Sequence, residues 1–423
     1  MMFPARRLLG ITSAILWMAF PTPARGESWA RVIGDHRADA AYAMTTADNG
    51  DFVLAGSTEI KSARSADVFL VRLKQRGEVK WMKAYGTGSS EWADGVVPSA
   101  VGGFYVAGGY WRGDYHDIIC LSLSGTGRVR WQRRFGGDGD DQLHGAAPTS
   151  DGGCLLVGDT DSFGAGEYDA WCLKLSSSGA VEWQEAIGTP GWDSAYSVIQ
   201  TDDGGYLVAG THSTGLWVLR LGPSGNILWE RTYGASGRGA AIRQAPDGDL
   251  LVLSNTLMRL DSGGNVLWAK WLRHPVHSST WGYALEITPD GGVAACGQYP
   301  ASMDLPDVGW YCKFDRTGAI EFKGASGRSL DAVALASDGG CVFAGQSATA
   351  DYHGDLSAAR LEPDGQYAGG CKHIVATQLC VEDRVVTATP VTSIVTPTTV
   401  QGVATKLRVS IPEPRIKDIC PPR

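Results

Sequence analysis

One stretch recurs along this chain and constrains its fold more than any other feature. Its clearest copy runs Asp203-Gly204-Gly205-Tyr206-Leu207-Val208-Ala209-Gly210, then Leu216-Trp217-Val218-Leu219-Arg220-Leu221, then Gly225-Asn226-Ile227-Leu228-Trp229, and ends at Tyr233-Gly234. Seven versions occur between about residues 28 and 370, at a period of roughly fifty residues, within the range of repeat arrays. A full copy holds four short apolar runs separated by turn signals.

The first turn is of the Asp-Gly-Gly kind, as in Asn49-Gly50-Asp51, Asp151-Gly152-Gly153, Asp290-Gly291-Gly292 and Asp338-Gly339-Gly340. Such pairs supply the positive φ that tight hairpins need. The run that follows, for example Phe52-Val53-Leu54-Ala55, is almost wholly apolar, which marks a strand buried on both faces. The fourth run carries an aromatic anchor at Trp81, Trp131, Trp183, Trp229, Trp268 and, in the sixth copy, Phe322. Four antiparallel strands repeated about an axis make a β-propeller.

The seventh copy has no fourth run, because Gln366-Tyr367-Ala368-Gly369-Gly370 contains no Trp. The missing piece stands at the other end: Ser28-Trp29-Ala30-Arg31-Val32-Ile33-Gly34 has the form of Leu228-Trp229-Glu230-Arg231-Thr232-Tyr233-Gly234. The expected fold is therefore all-β, a seven-bladed propeller of four-stranded antiparallel blades. The N-terminal strand closes the last blade and hides its edge.

The expected organisation has three parts. Residues 1–26 read as a secretory signal peptide: Arg6 and Arg7, an apolar core from Leu8 to Phe20, and small residues around Ala24-Arg25-Gly26. The core is short for a membrane span, so the expected mature chain is secreted or periplasmic without an integral membrane segment; an uncleaved anchor is the alternative. Residues 27–370 are the propeller. Residues 371–423 form a Thr/Val/Pro-rich tail, read as a stalk or an appended strand because Pro390 and Pro397 bar a central position in a sheet.

A net charge of −8 gives no basic surface for nucleic acid. Of nine cysteines, Cys120 and Cys172 share a repeat position and read as core thiols, while Cys371, Cys380 and Cys420 are candidates for pinning the tail. No CxxC pair is present, which disfavours structural zinc and thioredoxin-like chemistry.

Two groups of residues are candidate sites. An acid recurs before the first run of several copies, at Asp39, Glu91, Asp141 and Asp193. The first strand of a blade is innermost, so these carboxylates are expected near the channel mouth. They would hold a cation there, or cap turns through local backbone N–H groups. In copies five to seven Gly239, Trp281 and Ser329 take the place.

The second group lies in or beside the connections between second and third runs, which are long in copies one, two, three, six and seven. The connection is short in copy four, at His212-Ser213-Thr214, and nearly absent in copy five, at Ser254-Asn255-Thr256. Trp111, Tyr115, His116, Tyr168, Tyr299, Tyr352 and His353 are the candidate ligand-binding residues; their types suit sugar or peptide recognition. The same aromatics folded down over the core would merely cap it. Asp138-Gly139-Asp140-Asp141 resembles the start of a calcium loop but lacks the later Glu. The His116 and His353 loops, each with neighbouring Asp, are a weak pattern for metal. No metal or cofactor is expected.

The repeat resembles the bacterial delta-sixty and PQQ-like β-propeller repeats, a likeness carried by Asp-Gly-Gly-Tyr-Leu-Val-Ala-Gly, Leu-Arg-Leu, Gly-Asn-Ile-Leu-Trp and Tyr-Gly. That resemblance implies the propeller and says little of function. Quinone-dependent dehydrogenases of similar repeat type are larger and carry an adjacent Cys pair, which this chain lacks. The expected function is binding or scaffolding: recognition of a protein, peptide or glycan on the long-loop face, without catalysis. The alternative is a polysaccharide-directed hydrolase or lyase using carboxylates near the channel.

Overall fold

The computed structural model describes residues 28–34, 38–59, 65–213, 215–234, 241–274, 280–299, 307–327, 329–347, 354–367, 380–391, 394–397, 403–404, 408–410 and 415–420. Seven sheets succeed one another around a ring, and consecutive strands are neighbours within each. Blade 1 consists of Asp39–Thr46, Phe52–Glu59, Ala66–Leu73 and Val79–Gly86. The first strands of adjacent blades contact one another, so they line the axis. No described helix is long and apolar enough to cross a membrane.

Blade 7 supplies only Ser329–Leu335, Cys341–Gln346 and Leu356–Leu361. Its fourth strand is Trp29–Gly34, antiparallel to the third, with Trp29 opposite Arg360 and Ile33 opposite Leu356. The ring therefore closes by joining the two ends of the repeat region.

Alternation along each buried strand sends one set of side chains toward each neighbouring blade. Seven apolar clusters result, one at each junction between blades. Cys120 and Cys172 are buried free thiols within them. The outer aromatic anchors stitch the junctions as well as filling them. Trp29, Trp81 and Trp131 each donate their indole N–H to a carbonyl of the next blade's outer turn: Gln75 at 2.9 Å, Gly125 at 3.3 Å and Ser177 at 2.8 Å. The turn must be glycine where the ring lies on it. At Gly77, with φ of 81°, an added β-carbon would stand 2.6 Å from the Trp29 indole.

A recurrent ion pair holds the hairpins at the same end, where Arg72 also donates to the Gly125 carbonyl that Trp81 bonds. Arg72, Lys174, Arg220, Arg259 and Lys313 on third strands reach Asp51, Asp151, Asp203, Asp249 and Asp290 of the first turn at 2.9, 2.7, 2.5, 2.6 and 2.5 Å. Arg360 pairs likewise with Asp338. In blade 2 both partners are replaced together, by Ser122 and Val101.

The described parts of the tail do not project as a stalk. They are laid as fifth strands on the outer edges of the blades, in reverse order around the ring. Cys380–Asp383 pairs with Val266–Arg273 of blade 5, Ala388–Pro390 with Ile227–Tyr233 of blade 4, and Ile394–Pro397 with Val181–Gly188 of blade 3. Val403–Ala404 pairs with Val129–Phe135 of blade 2, and Arg408–Ser410 with Val79–Gly86 of blade 1. Arg415–Cys420 then covers Trp29–Gly34 of blade 7. Pro390 and Pro397 end their strands on an outermost edge, where a missing N–H is harmless. Among the described residues, blade 6 alone keeps four strands.

Candidate functional site

The first strand of a blade would be an ordinary edge but for one extra residue. Register shifts fall at the same place in five of these strands: Ala41/Ala43, Leu143/Gly145, Ala195/Ser197, Gly282/Ala284 and Leu330/Ala332. A bulge leaves its extra residue out of the ladder and re-aims the side chain. The residues passed over are Tyr42, His144, Tyr196, Tyr283 and Asp331. Asp94 takes the same place in blade 2, just before pairing resumes at Gly95. All six line one cavity of about 560 Å³, completed by Ser254, Asn255, Trp281, Gly282 and Gln298. Blade 5, whose hairpin is the tight turn at Asn255, forms its low side.

The polar contacts inside are specific. Asp94 accepts the indole N–H of Trp92 at 2.7 Å. Asp331 accepts the Ser329 hydroxyl at 2.6 Å. The His144 Nε2 lies 2.7 Å from an Asp159 oxygen that also takes the Ser194 hydroxyl at 2.8 Å, and the His144 ring packs on Tyr196 at 4.8 Å. Enclosure by protein pushes the Asp94 carboxyl up to about 7, against the opposing pull of His144 and the Trp92 bond. The same enclosure raises Asp331 to about 7, and the Ser329 bond only partly offsets it. Burial also raises the Tyr42 phenol, and Asp94 and Asp331 add to that rise, so both acids lie within Coulomb reach of one hydroxyl.

The acids expected at the channel mouth sit deeper, and none of them lines the cavity. Asp39, Glu91, Asp141 and Asp193 are buried and hold the loop that enters each blade. Glu91 accepts from the Thr87 hydroxyl and, at 3.3 Å, the Thr87 N–H. Asp141 accepts from Gly137 N–H at 2.7 Å and the Ser162 hydroxyl at 2.8 Å. Asp193 accepts from Thr189 N–H at 2.6 Å and Ser213 N–H at 3.1 Å. Asp39 donates its own N–H to Gly354 at 2.8 Å. A glycine at the end of an outer strand makes room for three of them, Gly34 for Asp39, Gly136 for Asp141 and Gly188 for Asp193: at Gly136 an added β-carbon would meet Asp117 at 2.5 Å and Asp141 at 2.9 Å. Burial, with Coulomb repulsion from Asp67 or Asp117, raises Glu91 to about 7 and Asp141 to about 6. In blade 6 the pairing of Trp281 with Gln298 makes it the counterpart of Ala40, not of Asp39; Thr280 holds the acid's place.

The loop aromatics divide. Trp111 and Tyr115 are each 44 % exposed, the first edge-on to His116 at 4.8 Å, the second beneath Arg112 at 5.4 Å. Asp140 ties the group together, accepting from the His116 backbone N–H and lying 2.7 Å from its ring Nδ1, with the Tyr168 hydroxyl at 3.3 Å. Tyr168 packs on Trp192, which is 60 % exposed. Tyr299 instead is buried, stacked on His274 at 4.6 Å. Tyr352 and His353 lie outside the described residues. Among the described residues, no three His, Cys, Asp or Glu side chains gather as a metal cluster.

The bulge residues were not among the expected site residues, although the signal is present. Each lies three positions after the recurrent acid or its counterpart: Asp39 and Tyr42, Glu91 and Asp94, Asp141 and His144, Asp193 and Tyr196. Strict alternation gives positions i and i+3 opposite faces of a sheet, and only the bulge breaks that rule.

No family model matches the chain, and no curated protein matches it. Solved structures do. One is Sqt1 from Chaetomium thermophilum, at 12 % identity, covering 80 % of this chain and 99 % of that one with a TM-score of 0.48. A protein of unknown function from Bacteroides caccae matches at 12 % identity over 70 % of this chain and 93 % of that one, TM-score 0.40. Another from Dyadobacter fermentans matches at 9 % identity over 81 % and 99 %, TM-score 0.41. At such distances the propeller assignment stands on this chain's own strand order.

Proposed function

We propose that this chain is an exported binding protein of the delta-sixty and PQQ-like repeat kind, which takes a protein, peptide or glycan ligand on the long-loop face. One observation carries the reading. The four exposed aromatics among the described residues, Trp111, Tyr115, Trp192 and Trp281, all stand on the face into which the Tyr-lined cavity opens. Exposed aromatics beside polar partners are the usual anchors of recognition surfaces, and 560 Å³ is a volume that holds part of a ligand. The experiment is retention of the purified chain on peptide and glycan arrays. Trp111→Ala/Tyr115→Ala and Trp281→Ala variants should lose retention with unchanged melting; full retention by all of them rejects this face.

A second reading is kept alive by Asp94 and Asp331. A carboxyl that keeps its proton to about 7 suits general-acid work on a glycosidic bond. Release of reducing sugar from polysaccharides, abolished in Asp94→Asn and Asp331→Asn, would establish it.

A further inference from the structure

The cavity is unusual in what it leaves unpaired. Two carboxylates face it, and its described lining contains no Lys or Arg. Each acid has a neutral donor, Trp92 for Asp94 and Ser329 for Asp331. Among the described residues, the one nearby group able to carry positive charge, His144, is already held by Asp159 at 2.7 Å. Elsewhere in the chain the pattern is the reverse: Arg72, Arg220, Arg259 and Lys313 each have an acid within 3 Å. The remaining walls include four aromatics, Tyr42, Tyr196, Tyr283 and Trp281, beside the neutral Ser254, Asn255, Gly282 and Gln298, and aromatic faces attract cations through their quadrupole.

We infer that the cavity takes an organic cation, an ammonium or guanidinium group seated between Asp94 and Asp331 against the Tyr42, Tyr196, Tyr283 and Trp281 side chains. This rests on the binding reading above and narrows its ligand from protein, peptide or glycan to one bearing positive charge: a basic peptide side chain or a free polyamine. The cation supplies the counter-charge that the described lining does not. A neutral sugar would stack on the same rings but leave the two carboxylates with neutral donors only and no opposite charge. The opposite mouth of the ring offers no such site, because its Arg243 and Glu286 are paired with each other at 2.6 Å.

The test is calorimetric titration of the full chain with a tetralysine peptide, its fully Nε-acetylated form, spermidine and a neutral hexasaccharide. The charged peptide or spermidine should bind, with the stronger of the two naming the source. The acetylated peptide should not. Asp94→Asn/Asp331→Asn, which keeps side-chain size, should weaken binding by about tenfold or more without shifting the melting curve downward, and Trp281→Ala should weaken it too. Equal binding of acetylated and charged peptides, wild-type affinity in the Asn variant, or no binding of either cation overturns the inference. If the hexasaccharide alone binds and Trp281→Ala abolishes it, the binding face stands and the cation falls. If no array ligand or probe responds to any of these substitutions, both fall.

Discussion

Trp92 donates its indole N–H to Asp94 at 2.7 Å, and the same ring meets His116 edge-on at 5.3 Å. One side chain therefore touches Asp94 of the central cavity's lining on one side and His116 of the loop cluster with Trp111 and Asp140 on the other. Two regions that look separate along the chain share a wall.

Trp92→Phe keeps the ring and removes the donor. The Asp94 carboxyl, already raised to about 7 by enclosure, should move higher still, because the bond favours the charged form. Carbon-detected NMR titration of labelled Asp checks this. An unmoved Asp94 resonance would mean that the bond is absent in solution.

The pH dependence of stability has a definite sign. Asp94, Asp331 and Glu91 are raised to about 7, and Asp67 and Asp141 to about 6, mainly by burial. Groups raised in the folded state bind more protons there than in the unfolded chain, so their contribution is full below about pH 4 and is lost as pH rises through about 7. Asp151, Asp203 and Asp290, held down to about 2, act the other way and only in stronger acid. Urea unfolding should show stability falling from about pH 4 to 7, with a shallower slope in Asp94→Asn/Asp331→Asn. A rise across that window would contradict these placements.

Closure of the ring rests on Trp29, 1 % exposed and bonded to Gln75 of blade 1. Trp29→Ala should cost about 3–5 kcal/mol in chemical denaturation, as for other core Trp losses. Wild-type stability in that variant would rule out the joint between the first strand and blade 1.

Lys174 is 2 % exposed between Asp151 and Glu182, each 2.7 Å away. Both acids are about half exposed and regain water when the lysine is removed. Lys174→Met should therefore cost about 1–2 kcal/mol rather than the 3–5 of a fully buried pair. A denaturation midpoint measured at pH 7 distinguishes the two.

Truncation after Gly370 uncovers the outer edges of six sheets. Bare edges pair with other chains, so the shortened protein should self-associate in light scattering while the full chain does not. A monomeric truncated form with unchanged melting would make the strap dispensable.

Blade count, strand order and the borrowed first strand were legible because glycine turns, apolar runs and Trp anchors repeat with the fold's own period. The cavity was not, because Tyr42, Asp94, His144 and Tyr196 differ in type and lie one bulge away from the acids that do repeat. Trp281 takes the acid's place only in an alignment one residue out of step, because Thr280, the true counterpart, is not acidic; the pairing of Trp281 with Gln298 corrects this. The tail escaped for a related reason. Its pieces are two to six residues long, too short for any alternation to register, and their partners are fixed by geometry rather than by pattern.

The path of those tail pieces ends on the strand that closes the ring. Trp29–Gly34 lies between Leu356–Leu361 on one side and Arg415–Cys420 on the other, so the segment that makes the wheel whole is gripped along both of its edges. The strap's last notch is the latch on the chain's own beginning.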